Sequence, residues 1–400
     1  MSASLPTLDS LDVKNKTILI RCDFNVPMKD GEITEDVRIR SALVTLKELF
    51  DKGAKLLVVC SHLGRPKGQV VEELRLKAVG KRLAELLGRP VRALEESVGD
   101  NVKQVISQAE PGSLVLLENV RFHVGETKGD ELLSQQFSEL ADCFVLDAFG
   151  TAHRAHSSVV GPTKLLPSAA GRLLQCEIEN LGRLLERPES PFVTIVGGAK
   201  VSDKVEILEN LMNISDIILI GGGMAYTFLK EQGHEVGNSL CEEDKLDLVK
   251  KLRVIAKEKN CELLFPVDHV VGKEFSNDTE ILRNVKEIPK GYMGLDVGAE
   301  TIKLYSERIR NAKTILWNGP MGVFEFDNFS KGTHEVGLSI QDSSAYSVVG
   351  GGDSVAAVKR FRLEKGMSHI STGGGASLEF LTGVILPGIE ALTNNDISAQ

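Results

Sequence analysis

Short apolar runs alternate with longer amphipathic segments along the first part of the chain. We predict buried strands at the runs rich in leucine, valine and isoleucine, which span residues 17–22, 55–60, 113–117 and 143–146. Residues 36–51 and 72–87 have the apolar spacing of helices, and Gly53 and Gly88 follow them as expected stops. This order of elements predicts a parallel sheet covered by helices.

The same alternation resumes after residue 191. Strands are predicted at residues 193–196, 216–220, 313–316, 346–349 and 369–371, and a helical pattern follows each. Between the two parts, residues 168–186 form one long helical pattern, after which Pro188 and Pro191 mark a boundary. The sequence therefore predicts two α/β domains with a linker close to these prolines.

Composition and charge narrow the class of protein. The chain is 42% hydrophobic and 26% charged, as in a globular protein with a large core. Its net charge of -9 argues against general binding to nucleic acids or anionic membranes, and no apolar run approaches the length of a membrane span. The six cysteines form no C-x-x-C pair and no secretory signal pattern is present, so we expect reduced thiols in a cytoplasmic protein.

Cationic side chains follow the strands of the first part, at the sheet edge where parallel sheets bind ligands. Arg65, Arg121 and Arg154 come after three different predicted strands, so folding could bring their guanidinium groups together around a phosphate or carboxylate. The alternative for any one arginine, including Arg38, is a solvated face or a surface ion pair.

Two further features of the first part allow two interpretations each. Asp23 and Asn25 either form the turn before Pro27 or hydrogen-bond to a hydroxylated substrate. His153 and His156 are spaced so that they could hold a metal ion, but no clear third ligand accompanies them.

The second part begins with a Gly197-Gly198 turn that is followed by Lys200 and Lys204. A helix starting at Ala199 would place both lysines on one face, beside a helix N-terminus that suits a polyphosphate. The alternative is an ordinary connection between a strand and a helix, with solvated lysines.

Triple glycines follow three predicted strands of the second part, at residues 221–223, 350–352 and 373–375. None completes G-x-G-x-x-G/A, which disfavours an NAD-dependent dehydrogenase, and no P-loop pattern occurs. Glycine clusters at strand ends favour backbone amides that reach a ligand. Asp353, beside one cluster, is either the N-cap of a helix or a Mg²⁺ ligand next to bound phosphates.

Taken in order, these stretches resemble the phosphoglycerate kinase family, its bacterial members most of all. The matching segments are RCDFNVP (21–27), SHLGRP (61–66), ENVRF (118–122), DAFGTAHRAH (147–156), GGAKVSDK (197–204), GGGMA (221–225), LWNGPMG (316–322), GGDS (351–354) and STGGGAS (371–377). The resemblance implies two doubly wound parallel-sheet, Rossmann-like domains joined by a helical hinge. It implies a phosphoglycerate-binding domain at 1–170, the hinge at 171–191, a nucleotide-binding domain at 192–386 and a returning tail at 387–400.

The resemblance also implies the reaction and the residues that serve it. A cytoplasmic monomer would transfer the acyl phosphate of 1,3-bisphosphoglycerate reversibly to ADP, with Mg²⁺, giving 3-phosphoglycerate and ATP in glycolysis and gluconeogenesis. The residues implied to bind phosphoglycerate are Asp23, Phe24, Asn25, Arg38, His62, Leu63, Gly64, Arg65, Arg121 and Arg154. Those implied to contact the nucleotide are Lys204, Gly294, Glu325, Gly351, Gly352, Asp353 and Ser354, of which Asp353 also binds the metal.

Phosphoryl transfer depends on charge stabilisation and in-line positioning more than on covalent catalysis. We expect Arg38, Lys204 and the amides around Gly374 to neutralise the migrating phosphoryl group, with Lys200 as a second candidate. Hinge closure would bring the reacting atoms together and exclude water. The other class that remains open is a non-catalytic nucleotide-binding protein, which an assay of ATP-dependent phosphorylation of 3-phosphoglycerate would separate.

Overall fold

The computed structural model describes residues 5–186 and 188–395. Contacts between residues divide the chain into two compact units, which we call unit 1 (Met1–Glu179 with Ile385–Gln400) and unit 2 (Asn180–Val384). Arg187 of the expected hinge and residues 396–400 of the expected tail lie outside the described residues. The substrates assigned to each domain by the sequence stay predictions.

Unit 1 contains one parallel sheet and a short hairpin. Its strands are β1 (Thr17–Cys22), β2 (Met28–Lys29), β3 (Glu32–Ile33), β4 (Leu56–Cys60), β5 (Val91–Ala93), β6 (Ser113–Leu116), β7 (Cys143–Asp147) and β8 (Ser168–Ala170). The helices are α1 (Val37–Asp51), α2 (Lys77–Leu87), α3 (Asp100–Ser107), α4 (Glu131–Ser138), α5 (Ser157–Val160) and α6 (Arg172–Glu186), the last of which continues into unit 2. The sheet has the order β5-β6-β4-β1-β7-β8, and β2 pairs with β3.

The strand order of unit 1 places a topological switch point between β1 and β7. From β1 the chain proceeds through β4 toward one edge of the sheet, whereas from β7 it proceeds to β8 at the other edge. The loops that leave β1 and β7 therefore lie side by side at a topological switch point, where open α/β sheets bind ligands. Apolar residues fix this arrangement, since Ile18 and Ile20 of β1 share a buried core with Leu46 of α1 and Val79 of α2.

Unit 2 repeats this plan and adds an antiparallel sheet. Its strands are β9 (Phe192–Val196), β10 (Ile217–Ile220), β11 (Glu262–Leu264), β12 (His269–Gly272), β13 (Ile281–Val285), β14 (Met293–Val297), β15 (Thr314–Asn318), β16 (Tyr346–Val349) and β17 (His369–Ile370). The helices are α7 (Val205–Leu211), α8 (Met224–Glu231), α9 (Leu246–Glu258), α10 (Ala299–Arg310), α11 (Lys331–Gln341), α12 (Gly352–Arg360) and α13 (Gly375–Leu381). The parallel sheet has the order β11-β10-β9-β15-β16-β17, and β12 pairs with β13 and β14.

The switch point of unit 2 lies between β9 and β15, because their chains continue toward opposite edges of the sheet. Near the C-terminus, helix α14 (Pro387–Thr393) packs against α5 of unit 1. The Gly388 amide donates to the Ala152 carbonyl over 2.8 Å, and the Asn395 side chain donates to the Leu166 carbonyl over 3.0 Å. Within the described ranges, no helix is long and apolar enough to cross a membrane.

The alternation of strands and helices is confirmed, but several predicted helices are wrong at their starts. Residues 168–170 form strand β8 instead of the first turn of α6, and residues 72–74 form a separate 3₁₀ turn before α2. No helix directly follows β15, because residues 319–330 form a loop with a single 3₁₀ turn. The antiparallel sheet β12–β14 was not predicted, since its strands alternate weakly between apolar and polar positions.

Candidate active site

The loop after β1 is held by Asp23 and Asn25. The Asp23 carboxylate accepts hydrogen bonds from the Arg38 guanidinium, at the start of α1, and from the Asn25 amide (3.1 Å). The Asn25 side-chain oxygen in turn accepts from the Gly64 amide over 2.8 Å. The two residues thus form the predicted turn and also connect β1 to the loop that follows β4.

Electrostatics keep Asp23 ionised and His62 neutral. Burial opposes the ionisation of Asp23, but the positive charges of the nearby Arg38 and Arg21 and the hydrogen bond from the Asn25 amide favour it, and the pKa of the carboxyl group is lowered. Burial, reinforced by Arg21, Arg121 and Arg38, holds the pKa of His62 well below its usual range despite the opposing charge of Asp23. Because His62 is therefore neutral, the guanidinium groups supply the positive charge that Asp23 faces.

Arg65, Arg121 and Arg154 line one cleft of about 470 Å³ in unit 1. The structure thus brings together the guanidinium groups that follow three different strands of the sequence. Arg121 is 8% exposed, donates to the Gly64 carbonyl over 2.8 Å, and leaves its buried Nε atom without a hydrogen bond to any described residue. Burial and the neighbouring Arg21 and Arg154 lower the pKa of Arg121 to about 10, so it remains charged at neutral pH and can accept an anion.

Arg38 does not line this cleft; its guanidinium is paired with Asp23. Phe24 and Leu63 are buried side chains, and the Phe24 amide donates to Ser61 Oγ over 2.8 Å. The contribution of Phe24 and Leu63 to a ligand site is therefore confined to backbone and loop shape. Gly64 serves as a connection, because its amide binds Asn25 and its carbonyl binds Arg121.

Sequence reasoning missed several residues around this cleft. Lys67 and Lys128 also line it, and only their closeness to Arg65 and to the 118–122 motif could have indicated them. Glu126 is completely buried and accepts hydrogen bonds from the Ser158 amide (2.9 Å) and hydroxyl (2.6 Å). The pair His153 and His156 is not part of any group of three potential metal ligands within the described ranges.

In unit 2, glycines allow the loops at the switch point to touch. The Gly197 amide donates to the Asn318 carbonyl over 2.9 Å, and a Cβ on either Gly197 or Gly319 would collide with the backbone of the other loop. Gly319 also has a φ of 108°, which other residues rarely adopt. These glycines are therefore required by the close approach of β9 and β15, whatever they offer to a ligand.

A pocket of about 270 Å³ lies beside the contact between the loops that follow β9 and β15. Its walls combine glycines, apolar side chains and two carboxylates, and they include Gly198, Gly222, Gly223, Tyr226, Leu240, Phe275, Met293, Gly294, Val323, Glu325 and Asp353. Such a surface suits a flat heterocycle with a polar tail. The structure brings Gly294, Glu325 and Asp353 together here, and the sequence alone gave no signal for Tyr226 or Phe275.

Gly294 is required because Tyr226 presses on it: a Cβ at this position would collide with the phenol ring. Burial raises the pKa of Tyr226, so the phenol remains neutral. The Gly294 amide donates to Ser239 Oγ over 2.9 Å. The close contact of Gly294 and Tyr226 therefore leaves no room for a side chain at position 294.

The prediction that Lys200 and Lys204 share a helical face is wrong. Residues 199–201 are not helical, a 3₁₀ turn covers Ser202–Lys204, and α7 begins only at Val205. Lys200 is exposed, whereas Lys204 is partly buried and its Nζ atom lies 2.6 Å from Asn318 Oδ1. Burial lowers the pKa of Lys204 although Asp353 and Asp203 oppose this shift.

The turn after β16 places Asp353 in the first turn of α12, where it is exposed. The N-cap of α12 is Gly351, with a φ of 88°, so the alternative that Asp353 is the N-cap does not apply. Ser354 is buried, and its Oγ atom accepts a hydrogen bond from the Gly319 amide over 2.6 Å. The amides of Gly352, Asp353 and Ser354 lie at the N-terminus of the helix, where they could donate hydrogen bonds to an anion.

Gly374 precedes α13 with a φ of 56°, and the Gly373 amide donates to Ser371 Oγ over 3.2 Å. Neither Gly374 nor Lys204 lines the pocket that contains Glu325 and Asp353, although Lys204 approaches Gly198 in its wall. The structure therefore divides the predicted nucleotide residues between the pocket itself and the neighbouring strand ends.

Asp353 fits the requirements for a Mg²⁺ ion that is shared with phosphates. No group of three His, Cys, Asp or Glu side chains that could hold an ion occurs in the part of the chain that the structure describes. Mg²⁺ commonly takes one or two carboxylates and completes its shell with phosphate oxygens and water. A single exposed carboxylate at a helix start is consistent with that mode, and not with an all-protein metal cage.

Two α/β units, each built on a parallel sheet, define the class of this protein. One presents guanidinium groups clustered beyond the carboxyl ends of its strands, and the other presents a glycine-lined pocket beside the start of a helix. This arrangement is typical of enzymes that transfer a phosphoryl group between a nucleotide and a small anionic substrate.

Comparison with known proteins makes the identification specific. A family profile described as phosphoglycerate kinase matches residues 8–384. The chain is 51% identical over 397 residues to a phosphoglycerate kinase of Clostridium botulinum (strain Alaska E43 / Type E3), covering 98% of this chain and 100% of the relative. It is 51% identical over 392 residues to that of Clostridium tetani (strain Massachusetts / E88), covering 97% and 98%.

Solved structures agree with the sequence comparison. Phosphoglycerate kinase from Coxiella burnetii matches with a TM-score of 0.88 and 42% identity, covering 98% of this chain and 99% of that one. The Pyrococcus horikoshii OT3 enzyme matches with a TM-score of 0.82 and 33% identity, covering 99% of both chains. The chain belongs to the phosphoglycerate kinase family. It is accordingly a glycolytic kinase that transfers phosphate to and from a carboxyl group, with ADP or ATP as the second substrate and Mg²⁺ as the usual cofactor.

Proposed function

We propose that the chain transfers the acyl phosphate of 1,3-bisphosphoglycerate directly and in line to ADP, and that the residues described above carry out this step. The observation that supports this most strongly is the convergence of Arg65, Arg121 and Arg154 in one cleft of unit 1. Three guanidinium groups in a single cleft suit a doubly charged phosphate monoester far better than a neutral metabolite.

In this proposal the three arginines bind the phosphate that is not transferred. Asp23 and Asn25 face the hydroxyl and carboxyl groups of the glycerate, together with His62. Arg38 uses one nitrogen for Asp23. Because a guanidinium carries five N–H groups, others remain for the acyl phosphate and for the phosphoryl group as it migrates.

The nucleotide is assigned to unit 2. Gly294 and the apolar wall of the pocket would hold the adenine, Glu325 the ribose, and the amides of residues 351–354 the phosphates. Asp353 would hold Mg²⁺, which neutralises charge on the polyphosphate when it is bound. Lys204 and the amides around Gly374 would stabilise the transferred group, and the exposed Lys200 remains a second candidate.

Because the two substrates are assigned to different units, the transfer requires the units to approach one another. In-line transfer needs the reacting atoms roughly 3–3.5 Å apart, and an acyl phosphate must be protected from water. We propose that α6, which contains the boundary between the units, is part of the hinge for this closure. We also propose that the protein is a cytoplasmic monomer that binds neither nucleic acid nor membranes, consistent with its net charge of -9.

Calorimetric titration of two ligands tests the assignment of residues. Arg65→Gln and Arg154→Gln should each weaken binding of 3-phosphoglycerate at least about tenfold, because a charge-assisted hydrogen bond is lost, and should leave ADP binding unchanged. Arg92→Gln is a matched control, since Arg92 is an exposed arginine outside the cleft. Unchanged 3-phosphoglycerate binding in both cleft variants would reject the proposed site.

A further inference from the structure

A completely buried arginine, Arg21, lies behind the proposed substrate site and has no role in the mechanism above. Its Nε atom donates to Ser158 Oγ over 2.8 Å, one Nη atom donates to the Cys22 carbonyl, and the other lies 3.2 Å from His62 Nδ1. Arg21 is 0% exposed, so it cannot itself touch a ligand in this conformation. Any effect of Arg21 on the substrate must therefore pass through a neighbour.

We propose that Arg21 is a positioning residue that fixes the tautomer of His62, with Nδ1 as the acceptor and Nε2 carrying the only ring proton. The proposal rests on the proposed function insofar as it assigns His62 to substrate binding. A guanidinium has donors and no acceptor, so a nitrogen that it contacts must offer a lone pair. In a neutral imidazole the proton then resides on the other nitrogen.

The opposite ring nitrogen is available to a ligand. His62 Nε2 makes no hydrogen bond to the residues that the structure describes. The fixed tautomer thus provides an N–H donor for a hydroxyl or carboxylate oxygen of a small hydroxy acid. The other tautomer would present a lone pair to the same oxygen and could not hydrogen-bond to a carboxylate.

The charges that face His62 favour the neutral ring. Arg21, Arg38 and Arg121 act against a second ring proton, whereas Asp23, whose Oδ1 atom is 4.0 Å from Nδ1, favours it. Asp23 is itself paired with Arg38, which reduces its pull on the imidazole. A proton on Nδ1 would also point at the Arg21 guanidinium and break that contact.

The buried charge of Arg21 is balanced through Ser158. The Ser158 hydroxyl accepts from Arg21 Nε and donates to Glu126 Oε1 over 2.6 Å, while the Ser158 amide donates to Glu126 Oε2. Burial raises the pKa of Glu126, whereas the charge of Arg21 and the hydrogen bonds from Ser158 act in the opposite direction and favour its carboxylate form. In that form Glu126 is the counter-charge that an isolated interior guanidinium would lack. His62, Arg21, Ser158 and Glu126 therefore form one buried hydrogen-bonded chain that ends at the site.

Nitrogen NMR of the ¹⁵N-histidine-labelled protein tests the inference without any substrate. The His62 signals, assigned by their loss in His62→Gln, should show Nδ1 as an unprotonated nitrogen and Nε2 as a protonated one from pH 5.5 to pH 8. In Arg21→Gln, whose side-chain amide can also accept, a second tautomer or a protonated ring should appear in this range. A wild-type ring that carries its proton on Nδ1, or an unchanged spectrum in Arg21→Gln, would overturn the proposal.

A second variant covers the case in which Arg21→Gln does not fold. Ser158→Ala keeps the arginine but removes the relay to Glu126, and the His62 signals should then broaden or shift toward a tautomer mixture. Arg92→Gln is the control and should leave the His62 signals unchanged. If Ser158→Ala leaves them unchanged too, the relay through Glu126 has no influence on the ring and that part of the proposal is wrong.

Titration with 3-phosphoglycerate separates this inference from the proposed function. If the tautomer is fixed and Arg21→Gln binds 3-phosphoglycerate about tenfold more weakly, both stand, since one hydrogen bond to a charged group has been lost. If the tautomer is fixed but His62→Gln binds as tightly as the wild type, the substrate role of His62 fails while the positioning by Arg21 stands.

Discussion

The Lys204 ammonium donates a hydrogen bond to Asn318 Oδ1 over 2.6 Å, and the Asn318 amide nitrogen donates to the Gly350 carbonyl over 2.9 Å. One side chain at the end of β15 therefore connects the 3₁₀ turn before α7 to the turn after β16. Asn318 is 1% exposed, which leaves it little freedom to adopt another rotamer. It sets the position of a cation and of a glycine turn that are both proposed to bind phosphate.

Asn318→Ala should reduce kcat/KM for ATP by at least about tenfold. Without its hydrogen bond to Asn318, the Lys204 ammonium would no longer be held where it can stabilise the transferred phosphoryl group. Steady-state assays with 3-phosphoglycerate saturating would measure this loss. The control is Asn311→Ala, which changes an exposed asparagine whose side-chain amide donates to the Glu307 carbonyl of the preceding helix. Equal activity in the two variants would remove Asn318 from the site.

Arg38→Ala should lower kcat by about a hundredfold or more while ADP binding changes less than about twofold, since the guanidinium is expected to act on the migrating group. The nucleotide is assigned to unit 2, and Arg38 belongs to α1 in unit 1. Turnover assays and calorimetry of ADP check the two quantities separately. A parallel loss in both would assign Arg38 a general structural effect instead.

Asp353→Ala should raise the Mg²⁺ concentration that gives half-maximal activity, because the ion loses a carboxylate and retains only phosphate and water ligands. Activity would be followed from micromolar to millimolar Mg²⁺ at fixed ATP, with metal-free samples as the baseline. Asp342→Ala, an exposed aspartate directly after α11, is the matched control. An identical metal profile in wild type and Asp353→Ala would count against the metal contact.

Asp147 gives the fold a predictable dependence on pH. Its Oδ1 atom accepts from the Leu173 (3.0 Å) and Leu174 (3.2 Å) amides in the first turn of α6, and burial raises its pKa from 3.8 to about 6. The folded chain thus holds this proton more tightly than the unfolded chain. The stability it contributes is present below about pH 4 and is lost as pH rises to about 6.

The shift corresponds to about 3 kcal/mol of unfolding free energy, at about 1.4 kcal/mol for each pKa unit. Asp147→Asn should remove that part of the pH dependence, so its stability relative to the wild type should rise by up to about 3 kcal/mol between pH 4 and pH 7.5. Urea unfolding at the two pH values measures the difference. Asp100→Asn, which changes an exposed aspartate in the first turn of α3, is the matched control.

Strands were predicted well because each buried run carries its own signal. Residues 17–22 and 346–349 were located to the residue, since both runs are buried beyond their first residue and are rich in β-branched and other apolar side chains, although they also contain Arg21 and Ser347. Helix starts were predicted poorly. Ser168–Ala170 consists of small residues without a strand pattern and becomes a strand because β7 pairs with it. Residues 199–201 fit a helical spacing, yet the chain around Lys204 begins with a 3₁₀ turn.

The order of residues along the chain shows which groups stand at the carboxyl ends of strands, because a buried apolar run must end where polar residues and glycines begin. It could therefore identify Arg65, Arg121 and Arg154 and the glycine turns. The buried hydrogen-bond partners of the site could be found from the folded structure alone. Arg21, Ser158 and Glu126 are far apart in sequence, and their hydrogen bonds exist only because packing of the sheet and the helices buries all three together. A buried polar group must find its partner wherever the fold provides one, and no spacing in the chain encodes that pairing.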